Sequence, residues 1–251
     1  MILCVDIGNS TVYVGLMDVG CVVDSTHIAR DAQAYIDNLK VFMGERQVEA
    51  VAVSSVVPLE TTAMIDATRR LTGLSPLLVK RELKPMFPTV LDSPSTLGAD
   101  RIADTTAAMR DYDLPLIVID LGTATTFSVM DRQGVFLGGA ICPGIVTSFR
   151  TLTDKAAQLK GYKLEVPTHV VATNTHGCIG SGIIVGHAAM IDGMVARIEE
   201  ETHETYNVIL TGGMASTVQP FCRRATHVDD TLILRGIYAM YEDYQAASKE
   251  V

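Results

Sequence analysis

The chain has 251 residues, 48% of them hydrophobic and 20% charged, the balance of a folded globular protein and not of a disordered one. Its net charge is −9, it has no Trp, and no basic run is longer than the pairs Arg69-Arg70 and Arg223-Arg224. That argues against a nucleic-acid surface, which sets cations against phosphates and rings against bases, and no apolar stretch reads as long enough to cross a membrane.

The N-terminal residues lack the basic start of a signal peptide. The cysteines (Cys4, Cys21, Cys142, Cys178 and Cys222) are odd in number and none are paired as CxxC, so the expectation is reduced thiols in a cytoplasmic protein. The histidines are scattered without metal-ligand spacing.

Residues 2–18, ILCVDIGNSTVYVGLMD, hold two apolar runs around the polar turn Gly8-Asn9-Ser10-Thr11, with Asp6 ending the first run. The pattern predicts a β-hairpin with a phosphate-sized turn. A third strand is expected over 21–27, a helix over 31–44, a buried strand over 48–57, a helix over 59–71, a strand over 76–80 and a helix over 102–110. The opening pattern then returns at 116–131 as LIVIDLGTATTFSVMD, where Asp120 aligns with Asp6, Gly122 with Gly8 and Thr125 with Thr11. A strand over 134–141, helices over 146–159 and 179–198, a strand over 208–210 and a closing helix over 230–247 follow. The repeat predicts a duplicated domain and an α/β fold with mixed sheets, divided into residues 1–113 and 114–251.

Gly8 lets backbone N–H groups approach an anion, and Asn9, Ser10 and Thr11 add side-chain donors. Asp6 can hold Mg²⁺ directly or through water. One such turn is an ordinary hairpin; the second copy favours function. Asp100 and Arg101 stand at the start of the helix predicted over 102–110, where the helix dipole keeps a carboxylate ionised and able to accept a proton from an alcohol. Arg101 can grip a carboxylate through its planar fork, and Asp104, one turn on, is a second candidate base. Asp120 reads equally as a turn residue or a cation ligand, Asn174-Thr175 as a helix cap, and Thr211-Gly212-Gly213 as a plain turn or a place for a flat ring to approach the backbone.

Taken together, residues 6–13 (DIGNSTVY), Gly98-Ala99-Asp100-Arg101, residues 120–126 (DLGTATT), Gly138-Gly139-Ala140-Ile141 with Pro143-Gly144, Asn174-Thr175 and Thr211-Gly212-Gly213 resemble the type III pantothenate kinases. These belong to the actin, sugar kinase and heat-shock chaperone superfamily. The resemblance implies two related actin-like ATPase (ribonuclease H-like) domains and ATP-dependent phosphorylation of pantothenate to 4′-phosphopantothenate, towards coenzyme A. It implies ATP contacts at Asp6, Ile7, Gly8, Asn9, Ser10, Thr11, Val12, Tyr13 and Thr123. It implies pantothenate contacts at Gly98, Ala99, Asp100, Arg101 and Thr175, with Asp100 as the catalytic base and a monovalent cation (K⁺ or NH₄⁺) at Asp120. A homodimer with the pantothenate site near the subunit interface is also implied.

Two departures stand out: Leu91 occupies a position where the family often has Tyr, with Phe87 nearby, and Ser10 replaces the more usual Thr while keeping the hydroxyl. Two other readings are a superfamily kinase for a different small alcohol and a regulatory relative without catalysis.

Overall fold

The computed structural model describes residues 1–225 and 227–249, which form two compact units, one of Met1–Phe87, Asp92–Asp111 and the chain from Thr231 onwards, the other of Pro88–Leu91 and Tyr112–Asp230. In the first unit, β1 (Ile2–Ile7), β2 (Val12–Asp18) and β3 (Cys21–Ile28) form an antiparallel meander. Helix α1 (Tyr35–Met43) leads to β4 (Ala50–Ser55), which pairs in parallel with β1. Helix α2 (Pro58–Thr72) then leads to β5 (Leu77–Leu78), and α3 (Ala99–Asp111) follows after a long connection. Pro58 suits the first turn of α2, whose missing N–H would have no partner, and Gly73, at φ 72°, supplies the left-handed C-cap.

The second unit runs β6 (Leu116–Leu121), β7 (Ala124–Met130), β8 (Phe136–Pro143), α4 (Ile145–Lys155), α5 (Thr175–Gly180), a π-helical turn (Ser181–Val185), α6 (Gly186–Thr202), β9 (Asn207–Thr211), α7 (Ala215–Val218) and β10 (His227–Val228). The last helix, α8 (Leu232–Lys249), belongs to the first unit.

Each unit has a mixed five-stranded sheet, in the orders β3-β2-β1-β4-β5 and β8-β7-β6-β9-β10, so the duplication expected from the two Asp-x-Gly hairpins extends to the whole sheet topology. In both, the central strand pairs antiparallel with the next strand and parallel with a strand that arrives after a helical crossover. The central strands are therefore apolar along nearly their whole length, because helices leave neither face to water. Leu3, Val5, Ile7, Tyr35, Leu39 and Met64 build one core; Ile117, Ile119, Phe127, Ile184, Ile191 and Leu210 build the other.

The units differ from a division at 113/114 in three places: Tyr112 and Asp113 belong to the second unit, and long-range packing sets the other two. Helix α8 packs on α3 so closely that a Cβ on Gly236 would lie 1.9 Å from the Ala103 carbonyl oxygen. Residues 88–91 join the second unit because Phe136 N–H donates to the Pro88 carbonyl at 2.9 Å and Val90 N–H to that of Phe136 at 3.2 Å. The expectation that no stretch is long enough to cross a membrane also needs correction. The helical run Thr175–Thr202 has the length to do so and holds an 18-residue window with a mean hydropathy of 1.5, but Ile184, Ala188, Ile191 and Val195 of that run pack in the second core.

Candidate active site

The first turn joins β1 to β2. Gly8 N–H donates to the Thr11 carbonyl at 3.1 Å and closes it, leaving Asn9, Ser10 and Thr11 exposed. Asp6 lies at the end of β1, in register with Tyr13 on β2 and with Ser54 on β4. The Ser54 hydroxyl, itself fully buried, donates to Asp6 Oδ1 at 2.8 Å. Crowding of the carboxylate by protein pushes the Asp6 pKa up to about 7, opposed by the Ser54 hydrogen bond and reinforced by the negative charge of Asp100. Such a carboxylate, held on one oxygen and desolvated, fits a divalent cation: the ion supplies the positive charge that the surroundings lack. Tyr13 is turned to the meander, where its hydroxyl donates to Ser25 Oγ at 3.1 Å and its ring stacks on His27 at 4.2 Å.

The Gly98–Arg101 motif opens α3. Asp100 Oδ1 accepts the Arg101 N–H at 2.8 Å, so the carboxylate sits against the helix N-terminus as expected. It also lies where a side chain at position 98 would be: a Cβ on Gly98 would come within 2.3 Å of Asp100 Oδ1. Burial lowers the Arg101 pKa while Asp100 raises it, as for a cation half removed from water beside one carboxylate. Asp104, the second candidate base, is 4% exposed on the inward side of α3, which argues against contact with a substrate.

The second turn joins β6 to β7 and is shorter than the first. Gly122 N–H donates to the Ala124 carbonyl at 3.1 Å, and Leu121 pairs with Thr125, whereas Ile7 pairs with Val12. The structural counterpart of Thr125 is therefore Val12 and not Thr11, a one-residue correction to the sequence alignment. Thr11 stays in an exposed turn; Thr125 enters the core, where its hydroxyl meets His187 Nε2 at 2.8 Å. Burial lowers the His187 pKa, so the ring is neutral and can share one proton with the hydroxyl.

Two glycines press on this turn. Gly144 donates to the Thr123 carbonyl at 3.1 Å, and a Cβ there would lie 2.2 Å from the Gly122 carbonyl oxygen. Thr147 Oγ1 also donates to the Thr123 carbonyl, at 2.7 Å. Gly212, at φ 87°, lies where a Cβ would come within 2.3 Å of Asp120 Oδ1. The bare backbone at Gly212 thus forms a cradle against the Asp120 carboxylate, which a side chain there would displace.

Thr175 begins α5, with Asn174 Oδ1 accepting the Gly177 N–H at 2.9 Å, the cap expected from the sequence. A cavity of about 260 Å³ adjoins it, lined in part by Thr168, His169, Val171 and Asn174. Leu91 packs in the second unit near Gly138, whose added Cβ would be 3.7 Å from it. Ser54 and His187 were missed from sequence, since a buried hydroxyl in an apolar strand and a lone His in a helix carry no motif.

The sequence pattern of the type III pantothenate kinase family matches residues 2–197. The type III pantothenate kinase of Pelobacter propionicus is 34% identical over 251 residues, covering 96% of this chain and 99% of that one. The chain belongs to the type III pantothenate kinase family. The family's enzyme from Geobacter sulfurreducens is 33% identical, covering 96% of this chain and 98% of that one. Among solved structures, component A of (R)-2-hydroxyglutaryl-CoA dehydratase from Acidaminococcus fermentans superposes with a TM-score of 0.59 at 11% identity, covering 98% of each chain. The inorganic polyphosphate/ATP-glucomannokinase of Arthrobacter does so with a TM-score of 0.53 at 11% identity, covering 98% of each chain. At that identity the likeness concerns the fold alone, and it is the actin-like fold that the resemblance to the type III pantothenate kinases implies.

Proposed function

We propose that this chain transfers the γ-phosphate of ATP to the 4′-hydroxyl of pantothenate, the first step towards coenzyme A. The observation that carries the reading is Asp100: a carboxylate at the N-terminus of α3, beside the half-buried cation Arg101, with its charge felt at Asp6. In this reading Asp100 accepts the proton of the pantothenate hydroxyl as its oxygen bonds to phosphorus and the bond to ADP breaks. Arg101 pairs with the pantothenate carboxylate, and Gly98, Ala99 and Thr175 complete the contacts.

Residues 6–13 and Thr123 bind ATP, and Asp6 holds Mg²⁺, which offsets phosphate charge when bound. A monovalent cation, K⁺ or NH₄⁺, sits at Asp120, where the Gly212 cradle supports it. A cytoplasmic homodimer completes the reading, which sedimentation of the purified protein tests.

The deciding experiment is ADP release that depends on pantothenate, run in K⁺, NH₄⁺ and Na⁺. Turnover with pantothenate in the first two and little in Na⁺ is expected. Release of ADP with a different small alcohol only would overturn the substrate. Equal rates in all three salts would overturn the cation at Asp120.

A further inference from the structure

Strand β3 runs antiparallel to β2 and ends with Ile28 in register with Val12, so the chain leaves β3 beside the first turn. Arg30 follows directly. Its Nη1 donates to the Asn9 carbonyl inside that turn, and its Nε lies 3.6 Å from Glu60 Oε1. Glu60, in the first turn of α2, is held in its turn by the Tyr35 hydroxyl, which donates to Oε2 at 2.5 Å. Tyr35 is fully buried at the start of α1. A chain of charge-assisted bonds therefore runs from the core of the first unit to one backbone carbonyl of the exposed turn.

The carbonyl matters because of what shares its plane. The Asn9–Ser10 peptide is trans, since the only cis bond among the described residues is Leu114–Pro115. In a planar trans peptide the C=O and the next N–H point in opposite directions. A guanidinium that fixes the Asn9 carbonyl on one side thus fixes the Ser10 N–H on the other. A short polar turn with Gly8 at its start would otherwise sample several peptide orientations.

We propose that Arg30, braced by Glu60 and Tyr35, is a positioning residue of the first turn: it locks the Asn9–Ser10 peptide and so holds the turn in one shape for a nucleotide phosphate. The proposal rests on the reading of this turn as an ATP site. Arg30 acts through the backbone and touches no reacting atom. No motif drew attention to it, because the contact is made by a residue outside the hairpin.

The test is Mg·ATP binding by calorimetry, with steady-state kinetics in which each substrate is varied in turn, on the wild type, Arg30→Met and Arg30→Lys. Met keeps the apolar stem and removes every donor; Lys keeps a charged donor. For Arg30→Met, affinity for Mg·ATP should fall about 10-fold and the KM for ATP should rise likewise, the scale of one hydrogen bond to an anion. The KM for pantothenate should stay within about 2-fold. Arg30→Lys should recover at least part of the loss. A wild type that binds Mg·ATP, with an Arg30→Met variant that binds it equally well, overturns this proposal alone. So does a variant in which both KM values rise together, or one in which Lys is as damaging as Met. A wild type that fails to bind Mg·ATP overturns the ATP reading and the proposal with it.

Discussion

The Ser54 hydroxyl donates to Asp6 Oδ1 at 2.8 Å across two adjacent parallel strands. The bond fixes one carboxylate oxygen. It also opposes the desolvation that pushes the Asp6 pKa up. Ser54→Ala should therefore leave a carboxylate that is both less well oriented and harder to ionise. We expect a fall of about 10-fold in kcat/KM for Mg·ATP, the scale of a hydrogen bond to a charged group, and a higher Mg²⁺ requirement. Ser54→Thr should retain most activity. A Mg²⁺ titration of turnover checks this, and unchanged half-saturation in Ser54→Ala would refute it.

The shift at Asp6 also has a sign for stability. Its ordinary value is 3.8 and its folded value is about 7, so protonation favours the folded state. That contribution is complete below about pH 4 and is lost as pH rises through 7. Asp6→Asn cannot ionise and escapes the loss. The ligand-free variant should be more stable than the wild type at pH 8, with the gap narrowing towards pH 5. Thermal melts across that range test it; parallel curves would show that the carboxylate is not desolvated as described.

Asp100→Asn should preserve the fold and lower kcat by roughly 100-fold or more, the usual scale for a general base. Asp104→Asn should cost stability instead, since Asp104 is buried in α3. Single-turnover rates and urea melts on both variants separate the two effects. Near wild-type turnover in Asp100→Asn would end the assignment of the base.

Arg101 is half removed from water beside Asp100, and a cation in that state gains from a second anion. Lys keeps the charge but loses the planar fork. Arg101→Lys should raise the KM for pantothenate about 10- to 100-fold and leave that for ATP nearly unchanged. A rise confined to ATP would place the substrate carboxylate elsewhere.

Gly144 sets the distance between α4 and the second turn. Adding a Cβ 2.2 Å from the Gly122 carbonyl oxygen must push the turn or the helix away. Gly144→Ala should destabilise the protein by about 1–3 kcal/mol, the cost of overpacking, and lower kcat/KM for ATP through Thr123. Chemical denaturation with parallel kinetics is the measurement. A variant with wild-type stability would mean that the contact relaxes freely.

Asp6 with Gly8, and Asp120 with Gly122, announce themselves because a polar turn interrupts two apolar runs twice over, and the period of the repeat lies in the chain order. Gly98–Arg101 is likewise contiguous, so its place at a helix start and the α/β class with two mixed sheets were legible from sequence alone. The register of the second turn was not. One residue fewer between Leu121 and Thr125 turns Thr125 inward to His187, and side-chain direction follows from strand pairing and not from alignment. Ser54, Arg30 and Gly236 reach Asp6, Asn9 and Ala103 across long separations in the chain. Local propensity decides the strand, the turn and the helix start, because neighbours in the chain set them. Which hydroxyl steadies a carboxylate, and which unit the last helix joins, is decided when packing brings distant segments together.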